Sequence, residues 1–228
     1  MLAVLYDIHG NLPALEAVLE DADAAGARSH QLGGDYAAFG AWPMATVERL
    51  QALPDAHWIR GNWERWQTDP SAAPDNEVVQ GAAAAVIAAL VDELVAQLGA
   101  LPPSEERDGT LFCHASPRSD MDAFLPEPSE EDDQLLAGVT ADRVVFGHTH
   151  LQFRRRSADG IDLVNPGSVG LPWDGDVRAA YALVDDDGEI ELRRVAYDHE
   201  AAAAALEDRG QPWAAVSARR LRAARFDI

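Results

Sequence analysis

Leu2–Tyr6 is an unbroken apolar run that ends in Asp7, Ile8 and His9. A run without polar alternation fits a strand covered on both faces. Asn11 then precedes Leu12–Pro13, and Leu12, Leu15, Leu19 and Ala22 recur at helical spacing. This predicts a helix capped by Asn11 and stopped by Gly26. The pattern comes again. Ser29–Leu32 reads as a strand ending in Gly33, Gly34 and Asp35, and Pro43 opens a helix with Met44, Val47, Leu50 and Leu53 inward, ended by Pro54. Ala56–Arg60 gives a third strand, followed by Gly61, Asn62, Trp63 and Glu64, and the polar residues 67–76 read as a surface loop. Val79, Ala82, Val86, Leu90, Leu94 and Leu98 predict one helix over Glu77–Leu98, before Gly99, Pro102 and Pro103. Thr110–Cys113 is a strand ended by His114. Ser129–Ala137 is a short acidic helix capped by Ser129, and Arg143–Gly147 is a strand ended by His148, Thr149 and His150.

Beyond His150 the periodicity changes. Leu151–Ser157 and Ile161–Asn165 flank Asp159–Gly160, and Ala179–Val184 and Glu189–Tyr197 flank Asp186–Gly188, which predicts two hairpins. Alanine-rich helices follow at 199–207 and about 213–225. No linker or solenoid repeat interrupts this order, and 228 residues suffice for one core. A single domain over 1–228 is expected, with helices outside the strands and the C-terminal helices (about 199–225) packing on the domain or on a partner subunit.

Net charge is −21, and all 18 basic residues are arginine. Such a surface repels polyanions, so long nucleic acid is disfavoured as a partner. An anionic substrate would need a strong local positive centre, which bound metal ions can provide. The single cysteine, Cys113, allows no internal disulfide and points to a reducing compartment. The start, MLAVLYDIHGN, lacks the basic region of a signal peptide, and Asp92 and Glu93 break the most apolar stretch, so no membrane span is expected and a cytoplasmic location is.

Charge turns attention to the strand ends, where Asp7, His9, Asp35, Asn62, His114, His148 and His150 collect. These are oxygen and imidazole donors without a thiolate, a set that suits Mn, Fe, Zn or Ni at a reactive site rather than a structural zinc cluster. Seven donors are too many for one ion. Two ions about 3.5–4 Å apart need a shared carboxylate, for which Asp35 is the natural bridge. A neutral Asn62 ligand leaves two carboxylates against two divalent cations, a net positive site that attracts phosphate.

The ordered series Asp7-x-His9, Gly34-Asp35, Gly61-Asn62, His114 and Gly147-His148-Thr149-His150 resembles the calcineurin-like metallophosphoesterase superfamily. DIHGN, HASPR at His114–Arg118 and NPGSVGLPWDGD at Asn165–Asp176 resemble its small bacterial phosphodiesterase branch, leaving only about the last 30 residues uncovered. The resemblance implies an α+β fold, a four-layer αββα sandwich of two mixed sheets flanked by helices. It implies one ion on Asp7, His9, Asp35 and His150 and another on Asp35, Asn62, His114 and His148, with Mn2+ favoured and Fe, Zn or Ni compatible. Asp35, Asn62 and His114 would then be catalytic, and a bridging hydroxide would attack phosphorus in line.

One position departs from the family, which usually has Gly-Asn-His at the third motif, where this chain has Gly61-Asn62-Trp63. The missing histidine is the expected proton donor to the leaving group, a loss of about 10²–10⁴-fold in rate. Phosphodiesters with good leaving groups, or cyclic nucleotides, are therefore expected over alkyl monoesters. Asn11, Arg118 and Trp63 are substrate-contact candidates, with Arg60 and Trp173 beside them. Alternatives are a phosphoprotein or dinucleoside-polyphosphate hydrolase and, in another class, a metal-binding interaction scaffold. A homo-oligomer is compatible with all of these.

Overall fold

The computed structural model describes residues 1–227. In chain order the elements are β1 (Leu2–Leu5), α1 (Leu12–Ala24), β2 (Ser29–Leu32), α2 (Pro43–Gln51), β3 (Ala56–Trp58), α3 (Asn62–Thr68), α4 (Glu77–Ala89), α5 (Asp92–Gly99), β4 (Ser104–Arg107), β5 (Thr110–Cys113), α6 (Asp132–Leu135), β6 (Arg143–Val145), β7 (Phe153–Arg156), β8 (Asp162–Asn165), β9 (Ala179–Val184), β10 (Ile190–Val195), α7 (His199–Glu207) and α8 (Pro212–Ala223).

The strands form two five-stranded sheets, ordered β10-β9-β1-β2-β3 and β4-β5-β6-β8-β7. β1, β2 and β3 run parallel in the first, and β5, β6 and β8 in the second, while the remaining pairings are antiparallel. Both sheets are thus mixed, and the architecture is the αββα sandwich implied above. The two predicted hairpins go to different sheets, because β9 pairs with β1 and β8 with β6.

Strand alternation divides the core. Val4, Tyr6, Phe112, Val145, Val164 and Ala182 meet between the sheets. Ala3, Leu5, Tyr181 and Leu183 face the other way and pack under α1, α2, α4, α7 and α8. Cys113, Val144, Phe146 and Leu163 face outward from the second sheet, where Phe124 and Leu136 cover them. That outer layer is thin, since α6 is a four-residue helix. Arg222 binds Glu200 and Glu207, which ties α8 to α7.

Three elements differ from the pattern-based expectation. The 77–98 helix is two helices bent by 118°, with Leu90 and Val91 extended and Asp92 and Glu93 opening the second. Acidic residues favour a helix start, and the apolar period continues through the break, which hides it. α3 carries no helix expectation: it opens at Asn62, where the Glu64 carboxylate accepts the Gly61 amide at its first turn, and its end runs into the loop expected over 67–76. β4 has no apolar signature; its Ser-Glu-Glu-Arg sequence is an edge strand held by ladder hydrogen bonds to β5.

Candidate metal centre

The six parallel strands point their carboxyl ends at one place. In open α/β sheets that edge is where loops are free to present chemistry. There Asp7 and His9 follow β1, Asp35 follows β2, Asn62 opens α3 after β3, His114 follows β5, and His148 and His150 follow β6. Asp7, His9, Asp35, Asn62, His114 and His150 are all buried, and His148 is half-buried.

Five of these seven hold left-handed backbone: Asp7, His9, Asp35, His148 and His150 have φ of 53°, 52°, 58°, 66° and 57°. Such conformations cost about 1 kcal/mol or more each for non-glycine residues and cluster at functional sites. Gly61 and Gly147 allow the close approach. A Cβ at Gly61 would overlap Asp35 Oδ1, and one at Gly147 would stand 2.5 Å from Asp7 Oδ2.

Donor atoms converge in two groups, Asp7–His9–His150 and Asp35–His114–His148, and within each group they lie no more than 4.8 Å apart. Asn62 Oδ1 joins the second, 3.0 Å from both His114 Nε2 and His148 Nδ1. Asp35 Oδ2 stands between the groups, 3.4 Å from His114 Nε2 and 3.8 Å from His9 Nε2. All seven sequence-predicted ligands therefore come together.

Tautomers test whether a cation fits. His9 Nδ1 lies 3.1 Å from the Ala38 carbonyl and His150 Nδ1 lies 2.5 Å from the Leu171 carbonyl. A carbonyl only accepts, so both Nδ1 atoms carry the hydrogen and the neutral rings present bare Nε2 atoms. Those two face each other at 3.1 Å. Burial lowers both pKa values, which keeps the rings neutral. Asp7 Oδ1 is buried without a hydrogen-bond partner, 3.6 Å from His150 Nε2. Two lone pairs and an orphaned carboxylate oxygen aimed at one point fit a cation. Burial likewise holds His148 down to about 4. At His114 burial opposes the charge, but Asp35 and Asp7 beside the ring outweigh it and lift the imidazole to about 10.

Outer residues fix these ligands. Glu64, fully buried, accepts the amides of Asp35, Tyr36 and Gly61 at 2.9, 2.9 and 2.8 Å. Trp63 N donates to Asp35 Oδ1 at 3.0 Å, and His148 N donates to Asp7 Oδ2 at 2.9 Å. Asn165 binds Gly147 O and Thr149 Oγ1, and Ser168 Oγ donates to Asp7 O. The Asn165–Asp176 stretch thus braces the first and last ligand loops. Trp173 stacks on His150 with centroids 3.7 Å apart. Sequence reasoning missed Glu64, although a glutamate three residues after Gly61 is a helix-start signal.

The substrate-contact candidates separate. Asn11 is buried, with Oδ1 accepting Ala14 N and Nδ2 donating to Gly170 O and Tyr197 OH. Trp63 is 3% exposed and packs edge-on against Phe39 and Trp66. Both side chains are thus engaged within the protein, Asn11 in hydrogen bonds and Trp63 in ring packing. Arg118 is exposed and shares a pocket wall with His114.

Two carboxylates, four imidazoles and an amide thus make up two adjoining candidate metal-binding groups. The chain belongs to the calcineurin-like phosphoesterase superfamily, whose domain matches residues 1–189. An uncharacterized protein of Methanocaldococcus jannaschii, MJ0912, is 31% identical over 219 residues, covering 87% of this chain and 88% of its own. The crystal structure of a metallophosphoesterase from Sphaerobacter thermophilus has TM-score 0.82 and 26% identity over 98% of both chains. The hypothetical protein PH1004 from Pyrococcus horikoshii OT3 shares the fold, with TM-score 0.84 and 20% identity over 97% of this chain and 98% of that one.

Proposed function

We propose that this protein is a two-metal phosphodiesterase for small phosphodiesters, cyclic nucleotides among them. The observation that carries the reading is the pair of bare imidazole nitrogens of His9 and His150, 3.1 Å apart, beside the orphaned Asp7 Oδ1. Asp7, His9, Asp35 and His150 would hold one ion and Asp35, Asn62, His114 and His148 the other, Mn2+ being favoured by the mixed oxygen and imidazole donor set with its neutral Asn62 amide. When bound, the pair supplies Lewis-acid activation of water and neutralises charge on the phosphoryl oxygens.

The chain's own part is positioning. Asp35, anchored through Trp63 N and Glu64, sets the spacing of the two groups. The Ala38, Leu171 and Gly33 carbonyls orient His9, His150 and His114 so that each offers the ring nitrogen nearer the centre. Half-buried His148 marks the open side, from which a phosphoryl group would enter.

Beyond the four ligand candidates the imidazoles are engaged elsewhere, His30 on the Pro54 carbonyl, His57 on Glu105 and His199 beside Glu200, so a leaving group would depart with little protonation, which favours aryl or strained diesters over alkyl monoesters. Turnover of bis(p-nitrophenyl) phosphate, an alkyl monoester and cyclic nucleotides should be measured with Mn2+, Zn2+, Fe2+ and Ni2+. Diester turnover well above monoester turnover is expected. Faster alkyl monoester turnover with every metal would refute the diesterase reading, and metal uptake without hydrolysis of any ester would indicate a scaffold.

A further inference from the structure

We infer that a pocket walled by Arg60, Arg65 and Arg118 beside His114 is an anion subsite, and that it selects phosphodiesters bearing a second phosphate. The inference rests on the phosphodiesterase reading and names the substrate class for it. The cavity is about 380 Å³ and also takes in Ser116 and Asp120. Each arginine sits close in sequence to a metal-ligand candidate: Arg60 two residues before Asn62, Arg65 three after it on α3, and Arg118 four after His114.

The guanidinium groups are incompletely used. Arg65 binds Asp120 through Nε and Nη2, which clamps the loop after His114 to α3 and leaves Nη1 over. Arg60 gives one bond, to the Gly99 carbonyl, and Arg118 one, to the Ala137 carbonyl. Asp120 offsets one of three positive charges, so the pocket keeps a net charge of about two in a chain of net −21. Guanidinium forks match phosphate oxygens in pairs. Because His114 forms the shared wall, an anion here is a neighbour of the reacting phosphoryl group and does not take its place.

The test compares the p-nitrophenyl ester of thymidine monophosphate with the same ester carrying a second phosphate on the sugar, using Mn2+-loaded protein. The bisphosphate should be favoured about tenfold or more in kcat/KM, the factor expected for one or two charge-assisted hydrogen bonds. In Arg118→Ala and Arg60→Ala that ratio should fall toward one, whatever happens to the absolute rates. In Arg222→Ala, a surface change elsewhere, it should persist. Equal rates for the two esters in the wild type, or a preference that survives both pocket variants, would overturn the subsite while leaving the phosphodiesterase reading intact. If neither ester is hydrolysed, that reading fails, and the subsite is judged by calorimetry of thymidine bisphosphate against thymidine monophosphate. Tighter bisphosphate binding that Arg118→Ala abolishes supports it, and equal affinities overturn it.

Discussion

Glu64→Gln isolates the support under the bridging carboxylate. In the wild type, Oε2 accepts the Asp35 and Gly61 amides and Oε1 accepts Tyr36 N, all in a fully buried setting. Glutamine keeps the volume but turns one acceptor into a donor. The remaining oxygen would stay with the two amides, leaving Tyr36 N–H opposed by an NH2 group. A buried donor left unpaired costs about 1–3 kcal/mol. Relief of the carboxyl's own burial, which with the Asp35 charge pushes it up to about 7, offsets part of this. A net loss of about 2 kcal/mol in urea unfolding of the metal-free protein is expected. Asp35 should also loosen, and outer supports of this kind are worth about 10–100-fold in metal affinity. Calorimetric titration with Mn2+ reads that directly. Lost stability with unchanged metal affinity would show that Glu64 braces the fold and not the site, and no change in either would show that its three amide contacts support neither.

Replacing Trp63 by histidine should cost about 3 kcal/mol, because the ring fills the helical layer against Phe39 and Trp66; alkyl monoester turnover should stay flat, and a rise of about 100-fold would place position 63 in the site. Metal uptake should expel protons near neutral pH, since without a cation His114 is held up to about 10 and burial raises the Asp7 carboxyl well above its usual range, and both must be deprotonated to ligate. Affinity therefore climbs as pH rises toward that value, and calorimetry in buffers of different ionisation enthalpy that finds no released proton would remove His114 from the ligand set. Burial raises the Asp162 pKa, but Arg154 and Arg143 outweigh it and hold the carboxyl below its usual value. That stabilisation is present above the unfolded pKa and lost as pH falls through the folded one. Asp162→Asn should thus cost about 1–2 kcal/mol at neutral pH and flatten the acid limb of the stability curve, as urea midpoints at several pH values would show.

The ligand loops were legible because their chemistry is local. A buried strand ending in Asp, His or Asn beside glycine says both where the chain turns and what it presents, and Asp7, His9, Asp35, Asn62, His114, His148 and His150 all lie together. Helix starts at Leu12 and Pro43 were marked by residues with one strong preference. Partition of the hairpins between sheets was hidden, since β9 finds β1 across about the whole chain and nothing in its sequence names that neighbour. The α4–α5 bend was hidden because both helices keep one apolar phase. Trp63 and Asn11 show the limit for function. An aromatic ring or an amide near a motif reads as a contact, but only packing reveals that Trp63 turns into the helical layer and that Asn11 holds Gly170 and Tyr197.

If seven side chains hold two ions bridged by Asp35, the two ions will be magnetically coupled. Titrating the protein with Mn2+ while recording its electron paramagnetic resonance spectrum tests this most directly. Two equivalents per chain with an exchange-coupled signal, lost in Asp35→Asn, are predicted. Saturation at one equivalent with the spectrum of an isolated ion would contradict it.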